Sequence, residues 1–175
     1  ISLHGKEDSR FMVMTGASES VLSRSGFFRK DGITLSLTED MRKRLEHEYV
    51  MLSRTGSRVV AAAFAEGGHN DVRIEDAEKM VFAGFFAMKD ALRSGVNEAV
   101  SAVRGAGVGL VMITGDNRET AISIAREAGI FREGDDVLTG EELESMSEDD
   151  VVSRLGRVSV FARVTPEHKL RIVEA

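Results

Sequence analysis

The sequence predicts an α/β protein: a parallel sheet wound with helices in the C-terminal half, preceded by an α+β unit. Three observations predict it. Beyond a polar break at residues 89–93, helical and strand patterns alternate, the order that builds parallel sheets with crossover helices. Before the break, two apolar runs, residues 59–65 and 80–88, follow an amphipathic helix pattern, which suggests a sheet with helices packed on it. The composition, 42% hydrophobic and 30% charged over 175 residues, is that of a chain able to bury a core.

Residues 1–10 are polar and mixed, so no element is expected there. Residues 11–14, FMVM, form a short strand, and Thr15-Gly16-Ala17 leads into a short helix through Val21 and Leu22. Residues 26–32 read as a loop or hairpin with Phe27 and Phe28 packed inward. Thr38 followed by Glu39 and Asp40 starts a helix, a capping oxygen and then acids that suit the positive helix end. Met41, Leu45, Tyr49 and Leu52 recur on one face, and Thr55-Gly56 ends it. Arg58 opens the strand VVAAAFA, the loop AEGGHNDVRIED follows, and MVFAGFFAM is a second buried strand. Val96, Ala99, Val100 and Val103 mark a helix that ends at Gly105-Ala106-Gly107 before the strand GLVMI. Glycines 105, 107 and 109 precede a strand rather than follow one, the wrong context for a dinucleotide fingerprint. Residues 131–150 are acidic and loop-like, with a helix from about 149 to 155. Residues 158–164 form another strand, and Thr165-Pro166 opens the last helix with a capping threonine and a proline at the first helical position.

The net charge of −6 and pI near 5.3 argue against a general nucleic-acid or anionic-membrane binder, although they leave room for a local basic pocket. The absence of cysteine excludes disulfides and thiolate metal sites. The longest apolar runs fall far short of the ~20 residues that span a bilayer, and no signal peptide is visible, so the chain reads as soluble. Ile1 is not an initiator methionine and HKLRIVEA stops inside a growing helix. A piece of a longer protein is therefore expected.

The chemistry centres on VMITGDNRETAISIAREAGI, residues 111–130. Val111, Met112 and Ile113 make a short buried strand, Thr114-Gly115-Asp116-Asn117 a polar turn, and Ala121, Ala125 and Ala128 with Ile122 and Ile124 the apolar stripe of a helix that Gly129 stops. A strand that delivers Thr-Gly to a helix N-terminus offers unpaired N–H groups and a positive dipole to a phosphate. Asp116 with Glu119 also fits an ordinary helix cap, so both readings stand. The next strand ends at Arg163 and Thr165, with Lys169 one turn into the following helix. If the two strands are neighbours, a lysine point charge and an arginine come near Thr114 and Gly115 at one carboxyl edge, where open α/β sheets bind ligands. Asp116 would repel a phosphate directly, and suits orienting Lys169, touching a ribose or standing behind a magnesium ion. The sequence offers no unmistakable nucleophile and no assignable pair of magnesium carboxylates, so by its residues it holds half of a phosphoryl-transfer site.

MITGDNRETAISIAREAGI and VFARVTPEHKLRIVEA closely resemble the two late motifs of the phosphorylation domain of P-type cation-pumping ATPases, of the haloacid dehalogenase superfamily. MVFAGFFAMKDALR resembles that family's return from the nucleotide-binding domain, MTGASESVLSRS its KGAPE segment, and SRVVAAAFA the strand that begins with a nucleotide-contacting arginine. The resemblance implies part of a nucleotide-binding domain at 1–88, and at 89–175 part of a haloacid-dehalogenase-like, Rossmannoid phosphorylation domain. It implies ATP and Mg²⁺ as cofactors, with magnesium ligands mostly elsewhere, and an aspartyl phosphate that drives ion transport. Thr114 and Gly115 would hold the transferred phosphoryl group, Lys169 would neutralise it, and Asp116 would support Lys169 or the nucleotide. Thr15 and Gly16 stand at the nucleotide pocket, Arg58 and Arg163 would contact the nucleotide, and Asp90 and Arg93 would sit at the hinge.

Departures from the pattern matter. Neither the family's DKTGT aspartate nor its GDGxND segment is in the sequence, so this chain alone should not hydrolyse ATP. The KGAPE lysine is Thr15 and its proline is Ser18, and DPPR reads DALR, which weakens the pocket and loosens the hinge. The expected partners are ATP, the transmembrane and actuator domains of the same polypeptide, and a transported cation. The long helix from Thr38 and the 80–93 segment look most like the calcium-pump branch, with sodium, potassium, proton or magnesium pumps behind it. The resemblance implies the cytosolic portion of an integral membrane protein. Two alternatives are a soluble haloacid-dehalogenase phosphatase, which shares the Thr114 and Lys169 positions, and a catalytically dead nucleotide-binding module.

Overall fold

The computed structural model describes residues 1–6, 9–66, 77 and 79–175, which fall into two compact units, 1–52 with 59–88 and 53–58 with 89–175. The first unit holds β1 (Ser2–Lys6), β2 (Ser9–Ala17), α1 (Ser18–Ser23), β3 (Ser25–Lys30), β4 (Ile33–Ser36), α2 (Glu39–Arg54, with its last two residues in the other unit), β5 (Arg58–Glu66, with Arg58 likewise) and β6 (Met80–Met88). Its strands lie in the order β1-β2-β5-β6-β3-β4. The β1–β2, β2–β5 and β3–β4 pairs are antiparallel, whereas β3–β6 is parallel. Most of the loop expected at 65–76 lies outside the described residues.

One face of this sheet carries the core. Met12, Met14, Ala61, Ala63, Met80 and Phe82 pack with Val21 and Leu22 of α1, and Leu45 of α2 closes over them. Arg42 ties α2 to the sheet by donating to the carbonyls of Leu22 and Ser25. Thr38 caps α2 as its sequence indicates, accepting from Met41 N at 3.3 Å. Strand alternation would point Phe82 and Phe85 to opposite faces. Gly84, at φ 152, breaks the alternation, so both rings reach the core side and meet edge to face at 5.0 Å.

Two expectations need correction here. Residues 1–10 are not featureless: β1 and the start of β2 form a hairpin. An outer strand has no covering layer to impose an apolar period, so its sequence hides it. Phe27 and Phe28 do not both pack inward. They are consecutive in β3, and Phe28 joins the core while Phe27 remains 37% exposed.

The second unit contains α3 (Val96–Gly105), β7 (Met112–Ile113), α4 (Arg118–Glu127), β8 (Asp136–Thr139), α5 (Gly140–Glu144), α6 (Glu148–Leu155), β9 (Val158–Ala162) and α7 (Pro166–Glu174). Its sheet is parallel, in the order β7-β9-β8. Every residue of β9 is buried, as befits a central strand covered on both faces. Val160 and Ala162 pack on Ala121 and Ala125 of α4, whose small side chains let the helix approach the sheet. Phe161 packs with Leu143, Val151 and Ile172 from α5, α6 and α7. Segment 53–58 joins this unit: Thr120 donates to Ser57 O at 2.9 Å, and Arg54 pairs with Glu119 at 3.0 Å.

The strand expected over GLVMI shrinks to Met112–Ile113, and the last strand ends at Ala162 rather than Val164. The acidic stretch 131–150 is not loop: it contains β8, α5 and the start of α6. Glu141, Glu142, Glu148, Asp149 and Asp150 stand in first helical turns. Thr139 with Glu142 and Ser147 with Asp150 each form a reciprocal capping box, which places carboxylates where helix N–H groups need acceptors.

Candidate functional site

Because β7, β9 and β8 are parallel, the segments leaving them emerge at one edge of the sheet: Thr114-Gly115-Asp116 from β7, Arg163-Val164-Thr165 from β9, and Thr139-Gly140 from β8. The first two are interlocked by main chain. Thr114 N donates to Phe161 O at 2.9 Å, Val164 N to Thr114 O at 3.1 Å, and Arg163 N to Asp116 O at 2.9 Å. Arg163 occupies the left-handed region at φ 55, an unfavourable conformation for arginine that the doubled hydrogen bonding imposes. The neighbouring of β7 and β9, on which the sequence argument depended, is therefore present.

Within the turn, Thr114 Oγ1 donates to Asp116 Oδ2 at 2.9 Å and accepts from Asp116 N at 3.1 Å. Asp116 does not cap the helix. Asn117 is the N-cap, accepting from Thr120 N at 3.0 Å, and Glu119 pairs with Arg54 instead of closing a box with Asp116. The aspartate is therefore not the cap of α4. The main-chain N–H of Gly115 has no partner among the described residues, while that of Thr114 is committed to the sheet. Lys169 lies one turn into α7, is exposed, and forms no ion pair among the described residues.

The edge is held by the Thr165-Pro166 start that the sequence indicates and by His168 and Gly140, which it did not single out. Thr165 caps α7 in a box with His168, Pro166 takes the first helical position, and buried His168 reaches Glu144 at 3.0 Å. Gly140 lets the β8 turn pass against the β9 turn. A Cβ there would collide with Arg163 O and lie 2.7 Å from the His168 ring. The signal was available: Leu138-Thr139-Gly140 repeats the apolar-Thr-Gly ending of Ile113-Thr114-Gly115. Arg118 at the start of α4 pairs with Glu142 in α5 at 3.1 Å. Burial raises the Glu142 pKa, but hydrogen bonds from Thr139 and the Arg118 charge outweigh it, and the carboxyl stays below its ordinary range.

In the first unit, Thr15 and Gly16 lie in β2 opposite Ala62 and Ala61 of β5, not in a loop after the strand. Thr15 is exposed on the sheet face away from the core. Pairing and alternation place Ala17, Val60, Ala62 and Phe64 on that same face, with the Arg29 guanidinium 6.0 Å from the Phe64 ring centre. A flat strip of small and aromatic residues beside a cation suits a heteroaromatic base with an anionic tail. Ser18, at the position of the motif proline, donates to Val59 O at 3.4 Å, and Glu19 accepts from Tyr49 Oη at 2.9 Å. Arg58 opens β5 and is exposed, as are Asp90 and Arg93 in the irregular segment after β6. Among the described residues no three His, Asp or Glu side chains gather as a metal site.

A family model for the cytoplasmic N domain of P-type ATPases matches residues 1–95. The chain belongs to the P-type cation ATPase family. Its likeness to named pumps runs over nearly its full length. It is 33% identical to calcium-transporting ATPase 1 of Bacillus cereus over 175 residues, 99% of this chain and 20% of that protein. With calcium-transporting ATPase 1 of Schizosaccharomyces pombe it shares 37% identity over 95% of the chain and 18% of the relative. With human calcium-transporting ATPase type 2C member 2 the identity is 33%, over 99% and 17%. This P-type ATPase chain thus spans about a fifth of the length of the curated relatives it matches. The matched region includes the TGD turn and the Arg163–Lys169 segment as well as the N-domain strip. Among the described residues no helix is long and apolar enough to cross a membrane.

Proposed function

We propose that this chain is the nucleotide- and phosphoryl-handling part of an ATP-driven cation pump, with a nucleotide-binding portion at 1–88 and a haloacid-dehalogenase-like phosphorylation portion at 89–175. One observation carries the proposal: the TGD turn and the Arg163–Val164 turn are hydrogen-bonded into one rigid edge at the carboxyl ends of parallel strands. Gly115 N–H presents a donor to a phosphoryl oxygen, the Thr114 hydroxyl would join it by turning its one proton from Asp116 to that oxygen, and Lys169 supplies the point charge that offsets its negative charge. Asp116 orients the Thr114 hydroxyl through their 2.9 Å hydrogen bond. Met112 and Ile113 are only partly buried, and among the described residues β7 has no partner on its other side. That open edge suits a further strand of the same polypeptide bearing the nucleophilic aspartate. Mg²⁺, when bound, adds charge neutralisation at the phosphoryl oxygens.

The family resemblance assigns nucleotide contacts to Thr15 and Gly16 on the first unit's sheet face and, in the second unit, to Arg58 and Arg163, with Asp90 and Arg93 as hinge residues. The named relatives favour Ca²⁺ as the transported ion, with the transmembrane and actuator domains as covalent partners and this part on the cytosolic side. Since Thr15 lacks the cation of the family's lysine, nucleotide binding is weak, with a dissociation constant of about 1 mM, or about −4 kcal/mol. Titrating the chain with ATP while following amide shifts checks this. Millimolar, saturable shifts at Thr15, Gly16 and Ala62 are expected. A micromolar constant, or no shift at those amides, overturns it.

A further inference from the structure

At the amino ends of the second unit's strands, away from the TGD edge, a cleft of about 500 Å³ opens between the end of α3, the 107–111 loop and the turns that enter β8 and β9. Arg104, Arg132 and Arg157 line it, together with Asp135 and Ser159. Three cations face a single acid, in a protein whose net charge is −6.

The acid is already engaged. Asp135 Oδ2 accepts from Ser159 Oγ at 2.5 Å and from Arg132 N at 2.8 Å. The Ser159 hydroxyl first, then the Arg132 N–H, hold its carboxyl below the usual range despite some burial, with the Arg104 and Arg132 charges adding to the effect. Asp135 therefore braces the wall rather than neutralising all three guanidiniums. Arg104 donates through Nη2 to Ile130 O, while its Nη1 is buried and without a partner among the described residues. A buried donor left unpaired calls for an acceptor. Arg132 and Arg157 form no ion pair among the described residues. Gly107 and Gly109 lie in the same wall, and a Cβ at either would stand in open space.

We propose that this cleft binds a phosphate-bearing anion. Planar guanidinium forks match phosphate oxygens two at a time, and a surplus of two positive charges balances a phosphate monoester dianion better than a carboxylate. The proposal is independent of the role assigned to the TGD edge. Either a free phosphate compound or a lipid headgroup carries the required chemistry.

The test uses the whole 175-residue chain with inorganic phosphate as probe, at ionic strength held constant with chloride. The amides of Gly107, Gly109 and Ser159 should shift saturably, and the double substitution Arg132→Gln/Arg157→Gln should raise the midpoint at least tenfold. The thermal midpoint should rise in phosphate over chloride for the parent and not for the double variant. Cosedimentation with phosphatidylcholine vesicles containing phosphatidic acid, whose headgroup is a phosphate monoester, separates the sources. Binding that phosphate displaces and the double variant loses assigns a headgroup, whereas phosphate shifts without vesicle binding assign a free anion. Unmoved amides at Gly107, Gly109 and Ser159, or equal responses in parent and double variant, overturn the proposal.

Discussion

Gly140→Ala is the sharpest perturbation of the candidate edge. The added Cβ would lie 2.7 Å from the His168 Cε1 and Nδ1 atoms and closer still to Arg163 O. The imidazole is buried and fixed by Thr165 N at 3.2 Å and Glu144 at 3.0 Å, so it cannot swing away freely. The carbonyl is main chain, in a residue whose own N–H is bound to Asp116 O at 2.9 Å. Overpacking of this kind costs about 1–3 kcal/mol. For a unit of this size that is a fall of roughly 4–24 °C in thermal midpoint. Urea and thermal unfolding of Gly140→Ala beside the parent measures it. In a His168→Ala background, itself destabilised by loss of the capping box, adding Gly140→Ala should cost less than it does in the parent but more than nothing, because the clash with the carbonyl remains. A single variant within about 0.5 kcal/mol of the parent, the range of ordinary surface changes, would refute the close approach.

Two further predictions concern the same unit. Asn117→Ala removes the α4 cap and should cost about 1 kcal/mol, more than Asp116→Ala; the reverse order in thermal unfolding would return the capping role to Asp116. Glu142, Asp135 and Asp150 have folded pKa values below their ordinary ones, so the unfolded chain binds more protons within that window. Their stabilisation is complete above the unfolded values and is lost as pH falls through the folded ones. Unfolding midpoints should therefore decline below about pH 4.5, the ordinary value for Glu142. Glu142→Gln should decline less over that range, and a midpoint that rises with acid would contradict the assignment.

Much of the second unit was legible because its signals are local. Thr165-Pro166 at a helix start, Gly129 at a helix end, and the apolar VSVF run each follow from one or two residues' conformational limits. The carboxyl-edge site was legible for a related reason: parallel strands send their following turns to one side. What escaped notice lacked an apolar period. β1 is an outer strand, and β8 offers only Val137 and Leu138 as buried residues. α5 and α6 hid behind acids that look like a solvated loop until their capping partners are seen. Phe27, expected inside, and Phe85 end on sides that hydrophobicity does not decide. Strict alternation expels Phe27, while the break at Gly84 brings Phe85 in, and neither outcome follows from hydrophobicity alone. Tertiary close approach, as between Gly140 and the β9 turn, leaves only a Thr-Gly echo in sequence.

The central claim is that Thr114, Gly115 and Lys169 hold a phosphoryl group for an aspartate elsewhere in the same polypeptide. The direct measurement is acid-quenched incorporation of label from γ-labelled ATP into the complete polypeptide, comparing Thr114→Ala and Lys169→Ala with the parent. Removing a donor or a charge from such a site typically costs on the order of a hundredfold or more in rate. Early-time phosphoenzyme formation should therefore drop at least tenfold in each variant, with thermal midpoints close to the parent's. Phosphoenzyme formation at the parent's rate in both variants would contradict the account.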